Sequence, residues 1–362
     1  MKTAKPNPDI AAHTRWPISA TVAQLADFDE IIDVRSPSEF ADDHIPGAIN
    51  RPVLDDAQRA AVGAIYKQVS AFDAKKTGAA LVSENIARHL RESFQDKPRN
   101  WRPLVYCWRG GGRSGALAHV LTQIGWRSAK LDGGYKAYRR AVIADLAVLP
   151  AQFMWRVVCG MTGTGKSRLL SALCAAGAQV LDLEALAAHR GSVLGNLPNA
   201  PQPPQKLFES QVWHELRGFD ASRPVFVESE SKKIGKLRVP EALIAAMWAG
   251  TPLVLEAPLA LRVALLKEDY AHFMQDTALL SAQLDCLVDL HGHEVITQWN
   301  TLVREQRWDE LTEVLLLRHY DPSYTRAITR HYPALDRAPA VTVTDTHANT
   351  FLRLAETLLK IC

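Results

Sequence analysis

The chain contains few cysteines, and their spacing shows no paired framework. Five cysteines are spread over 362 residues, at positions 107, 159, 174, 286 and 362. This pattern excludes a disulfide-stapled secreted scaffold and is typical of a reducing compartment, where a lone thiol can be chemical. The N-terminal stretch MKTAKPNPDIAAHTRW lacks an apolar core of signal-peptide length, and no apolar run reaches the length of a membrane span. We therefore expect a cytoplasmic protein that does not contact a membrane.

The chain also lacks a strong charge of either sign. Lys and Arg number 42 and acidic residues 39, which leaves a formal net charge of +3. This balance neither demands nor opposes a nucleic-acid partner. With 47% hydrophobic and 22% charged residues, the composition is that of a folded globular protein and excludes a disordered or fibrous one. Because 362 residues exceed one ordinary core, the length predicts two domains.

Short apolar runs alternate with stretches of helical periodicity along the chain. The first half has candidate strands at 30–34 and 103–107 and a candidate helix at 79–94. After a candidate linker at 146–152 the pattern restarts, with further candidate strands at 153–159, 179–183, 224–229, 251–257 and 340–345. From about residue 259 the chain is mostly helical. Strands that alternate with helices predict a mainly parallel sheet with helices on both faces.

One glycine-rich loop, GMTGTGKS, satisfies the pattern G-x-x-x-x-G-K-[ST] in full at residues 160–167. Its glycines allow backbone N–H groups to turn inward around a diphosphate, and the following helix presents its positive N-terminus. Lys166 would reach the terminal phosphate, and Ser167 would ligate Mg²⁺ if this ion binds. A strand before and a helix after favour phosphate binding over a plain turn. The expected phosphate-binding residues are Gly160, Gly163, Thr164, Gly165, Lys166 and Ser167.

A second feature of this half is the acidic end of an apolar run, VFVESES, at 225–231. It carries Glu228 and Glu230, at a place where a nucleotide-binding domain often has an acid beside its metal. A solvated strand end is the alternative, and the sequence leaves both open.

The other glycine-rich loop lies in the first half and carries a nucleophile. Cys107 ends an apolar run and precedes WRGGGRS and a helical stretch that Gly125 should end. A thiol at a helix N-terminus beside Arg109 and Arg113 should have a lowered pKa and exist partly as thiolate. This layout predicts covalent catalysis by Cys107 rather than a buried structural cysteine. The predicted anion cradle comprises Arg109, Gly110, Gly111, Gly112, Arg113 and Ser114.

Two segments of the first half resemble the rhodanese family. DVRSPSEFADDHIPGAIN, at 33–50, resembles the rhodanese signature, and LDGGYKAYR, at 131–139, resembles its Gly-Gly-aromatic ending. The resemblance spans about residues 14–145 and places the Cys107 loop where a rhodanese carries its persulfide cysteine. It implies structural rather than catalytic roles for Asp33, Arg35 and His44.

The length of the Cys107 loop departs from plain sulfurtransferases, whose loop has the form Cys-x-x-Gly-x-Arg-Ser. Here five residues separate Cys107 from Arg113. The longer loop is similar to those of dual-specificity phosphatases and arsenate reductases on this fold, and it suits an anion larger than a sulfane sulfur. Loop length therefore leaves phosphatase chemistry open.

The order of the two halves is similar to that of the tRNA 2-selenouridine synthases. Segments that resemble this family cover nearly the whole chain, at 106–115, 190–197, 201–210, 227–235 and 319–324. We therefore expect an α/β protein with a rhodanese-like domain at 14–145. It should be followed at 152–362 by a P-loop NTPase-like parallel α/β domain with a helical C-terminal part.

The resemblance implies a two-step conversion of a wobble 2-thiouridine in tRNA to 2-selenouridine. The P-loop domain would place a geranyl group from geranyl diphosphate on the sulfur. Cys107 would then accept selenium from selenophosphate as S-selanylcysteine and replace the S-geranyl group. No tightly bound cofactor is implied, Mg²⁺ is optional, and the expected partners are the anticodon region of tRNA and a selenophosphate-supplying enzyme. Candidates for contacts with RNA, with the diphosphate or with residues around it are Arg190, Ser192, Glu228, Glu230, Lys232 and Lys233; ordinary solvated charge is the alternative.

Three other interpretations stay open. A cysteine phosphatase or arsenate reductase fused to a nucleotide kinase would need a general acid near the Cys107 loop, and CWRGGGRS contains none. A sulfurtransferase fused to an ATPase would transfer sulfur and turn over ATP without RNA. A regulatory module that only senses phosphate ligands is disfavoured by the reactive surroundings predicted for the thiol.

Overall fold

The computed structural model describes residues 19–198, 200–333 and 335–361. The described residues do not include the N-terminal stretch, the first residues of the domain expected at 14–145, or Cys362. The expectations that concern these residues therefore lie outside the described part. Within the described part, none of the helices combines the length and apolarity that crossing a membrane requires. The chain divides into two compact units, and the boundary falls between Asp145 and Leu146.

The first unit is built on a five-stranded sheet in which every strand pair is parallel. Its strands are β1 (Ser19–Ala20), β2 (Glu30–Asp33), β3 (Ile49–Asn50), β4 (Pro103–Tyr106) and β5 (Ala129–Leu131). The order across the sheet is β1-β5-β4-β2-β3, so the strand that leads to Cys107 is central. All four residues of β4 are buried, which explains its uninterrupted apolar sequence.

Helices connect these strands. They are α1 (Pro37–Asp42), α2 (Asp56–Gln68), α3 (Ala71–Glu92), α4 (Gly112–Ile124) and α5 (Gly134–Leu146). The helix predicted at 79–94 is confirmed but begins earlier, because the Ser70 hydroxyl caps it by accepting the Asp73 N–H at 3.0 Å. Helix α4 ends at Gly125, whose φ of 112° suits glycine, as predicted.

The core of the first unit reaches the reactive loop. Its buried members come from β2, β4, α3, α4 and the segments between them: Ile32, Val34, Val53, Leu54, Val82, Ile86, Phe94, Trp101, Val105, Cys107, Leu117, Ala118 and Leu121. Cys107 therefore stands between an apolar core and the glycine-rich loop that follows it.

The second unit has its own five-stranded parallel sheet and a short antiparallel hairpin. The strands are β6 (Trp155–Cys159), β7 (Gln179–Leu181), β8 (Val225–Glu228), β9 (Lys233–Ile234), β10 (Leu237–Arg238), β11 (Thr251–Glu256) and β12 (Ala340–Thr342). Sheet order is β12-β11-β6-β8-β7, and β9 and β10 form the hairpin. The predicted strands are thus confirmed with shorter bounds, whereas the hairpin was not predicted.

Helices make up most of the second unit, as expected from residue 259 onward. They are α6 (Lys166–Ala175), α7 (Leu183–Leu186), α8 (Gln205–Gly218), α9 (Glu241–Trp248), α10 (Leu259–Asp269), α11 (Ala271–Gln275), α12 (Thr277–Asp285), α13 (Val288–His291), α14 (His293–Arg304), α15 (Trp308–Leu315), α16 (Asp321–His331) and α17 (Ala348–Ile361). A π-helical segment, Leu316–Tyr320, joins α15 to α16. Shorter 3₁₀ turns lie at Val22–Asp27, Leu149–Gln152 and Leu335–Arg337.

Among the described residues of the second unit, two apolar cores stabilise the fold. One joins the sheet to α6, α10 and α17. The other lies within the helical part and consists of Leu194, Phe273, Leu280, Leu284, Leu287, Ile296, Trp299, Val303, Leu311 and Leu315. Arg262 links this helical part to the glycine loop, since its guanidinium pairs with Asp321 at 2.5 Å and its Nε donates to the Thr162 carbonyl at 2.8 Å.

Candidate functional site

The first candidate site forms where β4 ends at Cys107. The thiol is 4% exposed, and its Sγ lies 3.2 Å from the Ser114 hydroxyl oxygen. Burial raises the pKa of the thiol, but the Ser114 hydroxyl, the backbone N–H groups of Ser114 and Arg109, and the Arg113 charge together lower it below its ordinary value. The loop therefore favours the thiolate, which is the nucleophilic form of cysteine.

A Gly-Gly turn fixes the shape of this loop. The N–H of Tyr135 donates to the Cys107 carbonyl at 2.8 Å, and the N–H of Lys136 donates to the Trp108 carbonyl at 3.1 Å. Gly134 has a φ of 57°, and a Cβ there would collide with the Cys107 carbonyl and the Gly110 nitrogen. The Gly-Gly-aromatic segment that resembles the rhodanese ending thus positions the nucleophile's backbone.

An acid lies beside the loop, contrary to the sequence-based expectation. Glu39, on α1, accepts from Arg113 Nη1 at 2.9 Å and from Arg59 Nε at 3.1 Å through the same oxygen, Oε2. It comes from a segment 74 residues before Arg113, which is why the loop sequence did not reveal it. Burial opposes its ionisation, but the two guanidinium groups hold the pKa of Glu39 below its usual range. Glu39 is therefore an ion-pairing carboxylate and not a proton donor.

The remaining cradle residues surround the nucleophile in different ways. Arg109 is exposed and contributes its backbone N–H, whereas Gly111 caps α4 and Gly112 begins it. Gly110 has a φ of 66°, and a Cβ there would strike the Leu131 carbonyl. A cavity of about 400 Å³ opens beside the loop, and Ser38, Glu39, Asp42, Arg59, Trp108 and Arg113 line it.

The three residues expected to be structural are engaged away from the thiol. Arg35 and Asp33 form a fully buried ion pair at 2.6 Å, and the guanidinium also donates to the Asp43 carbonyl at 2.6 Å. The His44 ring stacks on Phe40 with ring centroids 3.8 Å apart. These contacts brace the segment that follows β2.

The second candidate site forms where β6 ends. The loop turns through Gly163 and Gly165, with φ of 81° and 85°, and α6 begins at Lys166. Lys166 Nζ donates to the Gly160 carbonyl at 2.8 Å, and the Thr164 hydroxyl donates to the Met161 carbonyl at 2.9 Å. The predicted phosphate-binding residues thus form one compact turn at a helix N-terminus, the geometry that suits a diphosphate.

Carboxylates crowd the lysine end of this loop. Ser167 Oγ donates to Glu184 Oε2 at 3.1 Å, and Glu228 Oε1 accepts the backbone N–H of Glu184 at 3.0 Å. Glu228 is 2% exposed, so a solvated strand end is excluded for this residue. Burial raises the pKa of Glu230 to about 8 and that of Glu228 well above its ordinary value. Burial lowers the pKa of Lys166, whereas the neighbouring glutamates oppose this change.

Comparison with known proteins decides which family combines these two sites. Residues 19–141 match the rhodanese-like domain, and residues 153–304 match the tRNA 2-selenouridine synthase AAA domain. The tRNA 2-selenouridine synthase of Nitrosomonas europaea is 36% identical over 268 residues, which cover 73% of this chain and 68% of that protein. This chain belongs to the tRNA 2-selenouridine synthase family.

Other members match over more of their length. The tRNA 2-selenouridine synthase of Hydrogenovibrio crunogenus is 32% identical, with 84% of this chain and 92% of that protein covered. The one from Aeromonas salmonicida is 31% identical, with 86% and 91% covered. The expected fold class, a rhodanese-like domain followed by a P-loop-type α/β domain with a helical C-terminal region, is thus confirmed.

In this member of the family, a cavity of about 910 Å³ extends from the phosphate loop. Arg190 and Ser192 line it, and the Arg190 guanidinium lies 4.8 Å from the Tyr270 ring centroid. Lys232 also lines it, with Nζ 5.3 Å from the Trp248 ring centroid. Lys233 is exposed in β9 and is not part of the lining. Of these predicted contact residues, the structure therefore brings Arg190, Ser192 and Lys232, but not Lys233, to the cavity of the phosphate loop.

Tyr324, on α16, is a site residue that sequence reasoning missed. Its hydroxyl accepts the Gly160 N–H at 2.6 Å and lies 2.9 Å from Ser229 Oγ, and Lys166 Nζ is 5.3 Å from its ring centroid. Burial raises the pKa of Tyr324, so the phenol stays neutral. The segment 319–324 carried a family resemblance, but nothing in its composition assigned this contact.

The fit of Mg²⁺ can be judged from the same side chains. Among the described residues, no group of three His, Cys, Asp or Glu could hold a metal ion. Mg²⁺ usually keeps several waters and takes one or two carboxylates plus substrate phosphates. The Ser167 hydroxyl beside the Glu184 carboxylate fits that donor set, so these two residues would hold the ion against a diphosphate.

Proposed function

We propose that this chain converts wobble 2-thiouridine in tRNA to 2-selenouridine through S-geranyl-2-thiouridine, with geranyl diphosphate and selenophosphate as co-substrates. The observation that carries the proposal is the pairing, in one chain of this family, of a thiolate-stabilising loop with a phosphate loop. The relatives are tRNA 2-selenouridine synthases by name, which supports the RNA substrate and the selenium product.

The phosphate loop acts first. The uridine sulfur attacks C1 of the geranyl group, a C–S bond forms, and the C–O bond to the diphosphate breaks. The diphosphate leaves with the electron pair, and Lys166 and the N-terminus of α6 stabilise its charge. Ser167 and Glu184 would hold Mg²⁺ if it binds, and the ion would supply further positive charge against the diphosphate. Alkylation matters because a thiocarbonyl sulfur is a poor leaving group, whereas an S-geranyl thioether-like sulfur is a better one.

The cysteine loop acts second. The C2–S bond breaks, a C2–Se bond forms, and geranylthiol and phosphate are released after water adds to the phosphoryl group. Cys107 carries the selenium as S-selanylcysteine, which is two electrons more oxidised than selenophosphate. When S-selanylcysteine forms, a disulfide must therefore accept two electrons. When the selenium is transferred to C2, a thiol must supply two electrons to it. Arg113 and the loop N–H groups bind the phosphoryl oxygens of selenophosphate.

Phosphatase chemistry is less well supported by the geometry. It needs a proton donor for the leaving oxygen. Two acids, Glu39 and Asp42, line the cavity beside the loop; Glu39, which pairs with Arg113, is held as a carboxylate by two guanidinium groups. It does not supply that proton.

A reconstituted reaction tests the proposal. The purified chain is incubated with tRNA that bears a wobble 2-thiouridine, and the nucleosides are identified by mass spectrometry. Geranyl diphosphate alone should give S-geranyl-2-thiouridine, and adding selenophosphate with a thiol and its disulfide should give 2-selenouridine. Formation of 2-selenouridine without geranyl diphosphate would contradict the first step. ATP hydrolysis with no change in the RNA would instead support the sulfurtransferase–ATPase alternative.

A further inference from the structure

A second, apolar cavity lies directly behind the phosphate loop. The volume of this cavity is about 70 Å³, and its walls come from α10, α11, α12, α15 and the π-helical segment. Four residues line both this cavity and the larger one: Thr162, Leu266, Tyr270 and Tyr320. One of them, Thr162, belongs to the phosphate loop itself. The two cavities are therefore adjacent spaces with a shared wall at the place where a diphosphate would bind.

The chemistry of the inner walls is almost entirely hydrocarbon. Residues that line only this cavity include Leu194, Phe273, Met274, Leu280, Leu311 and Leu315. Most of them belong to the buried core of the helical part, so the cavity extends into that core. A nucleoside needs hydrogen-bond partners for its base and sugar, and such groups are scarce here. A hydrocarbon chain needs none.

We propose that this cavity binds the hydrocarbon chain of the allylic diphosphate whose headgroup lies on the phosphate loop. The inference rests on the proposed function and adds the residues that select the donor. The cavity volume of about 70 Å³ equals the liquid volume of about two water molecules, so it admits one end of the chain, and the rest lies in the adjacent larger cavity. The cavity walls thus limit the length of chain that reacts.

The connection between the two cavities is held rigid. Arg262 pairs with Asp321 at 2.5 Å and donates to the Thr162 carbonyl at 2.8 Å. On the other side of the loop, a Cβ on Gly163 would lie 2.9 Å from Leu266 Cδ1, so the loop packs tightly against the cavity wall. A headgroup on the loop therefore has a fixed direction for its tail.

Two lining residues allow the size of the cavity to be changed in opposite directions. Thr312 is half-buried on α15, and Thr312→Phe should fill part of the space; Thr312→Val removes the hydroxyl at equal size and is its control. Leu280 is 5% exposed, and Leu280→Ala should enlarge the space. Leu287→Ala is its control, because Leu287 is equally buried in the same core but does not line the cavity.

Binding is measured first, with the full chain, by calorimetry with inorganic diphosphate, geranyl diphosphate and ATP. The wild-type protein should bind geranyl diphosphate more tightly than diphosphate, by about tenfold or more. Thr312→Phe should remove most of that difference and leave diphosphate affinity unchanged, whereas Thr312→Val should keep it. The proposal would be overturned if Thr312→Phe kept the wild-type difference between the affinities for geranyl diphosphate and for diphosphate. It would also be overturned if this variant changed the affinity for ATP alone.

Transfer is measured second, with dimethylallyl, geranyl and farnesyl diphosphates competing for 2-thiouridine in tRNA. Leu280→Ala should raise the ratio of farnesyl to geranyl product at least tenfold, and Leu287→Ala should leave the ratio as in the wild type. Equal ratios in both variants would contradict the assignment of the cavity. If the chain-dependent binding holds but no prenyl group of any length reaches the RNA, the proposed function fails while the cavity assignment stands.

Discussion

Arg113 Nη1 and Glu39 Oε2 are joined at 2.9 Å beside the Cys107 loop, and Arg59 shares the same carboxylate oxygen. The carboxylate offsets part of the positive charge that favours the thiolate. Glu39→Gln should therefore lower the pKa of the Cys107 thiol further, because a negative charge disappears while both arginines stay. The pH profile of thiol alkylation should shift to lower pH by some tenths of a unit. Glu84→Gln, an exposed change on α3, should not shift it.

Loss of the Ser114 hydroxyl should have the opposite effect on the pKa of the Cys107 thiol. Its hydroxyl oxygen is 3.2 Å from the Cys107 Sγ and helps to lower the pKa of the thiol. Ser114→Ala removes that hydrogen bond, so the pKa should rise by about one unit and the alkylation midpoint should move to higher pH. Ser114→Thr, which keeps a hydroxyl, should restore the midpoint. An unmoved midpoint in Ser114→Ala would show that the backbone N–H groups and Arg113 suffice.

Gly134 tests whether the Gly-Gly turn positions the nucleophile. With a φ of 57° and no room for a Cβ beside the Cys107 carbonyl, Gly134→Ala should cost about 1–3 kcal/mol of unfolding free energy, measured in urea. The reaction should then stop at S-geranyl-2-thiouridine. Gly63→Ala is the control, because nothing lies within 4 Å of a Cβ at this α2 position, and it should be neutral or slightly stabilising. Full 2-selenouridine formation by Gly134→Ala would contradict the positioning role.

Ionisation of Glu230 should make the binding of diphosphate to the phosphate loop depend on pH. Burial raises its pKa to about 8, so the side chain is neutral below that pH and gains a negative charge above it. That charge repels a diphosphate, and affinity for inorganic diphosphate should fall on the order of tenfold between pH 7 and pH 9. Glu230→Gln should flatten this decline, with a smaller slope left from Lys166, whose pKa burial lowers. Glu241→Gln, exposed at the start of α9, should decline as the wild type does.

The sequence predicted the parts of both sites that are contiguous in the chain. The loops at 107–114 and 160–167 each follow a buried parallel strand and open a helix, so their geometry is local and readable from motif spacing. Helix α2 was missed because none of its residues is buried, which leaves no apolar stripe to detect.

The partners that complete each site come from distant segments and could not be predicted. Glu39 is 74 residues from Arg113, and Tyr324 is 164 residues from Gly160. Only folding brings these pairs together. The apolar cavity was equally invisible, because leucines that line a cavity and leucines that fill a core have the same pattern along a helix.

The division of labour between the two loops is tested most directly by two variants and one readout. Cys107→Ser and Lys166→Ala are each supplied with 2-thiouridine tRNA, geranyl diphosphate, selenophosphate, a thiol and its disulfide, and the tRNA is digested for mass spectrometry of its nucleosides. Cys107→Ser should accumulate S-geranyl-2-thiouridine, whereas Lys166→Ala should leave 2-thiouridine unmodified. If both variants yielded only unmodified 2-thiouridine, the two loops would not act in sequence and the account would be wrong.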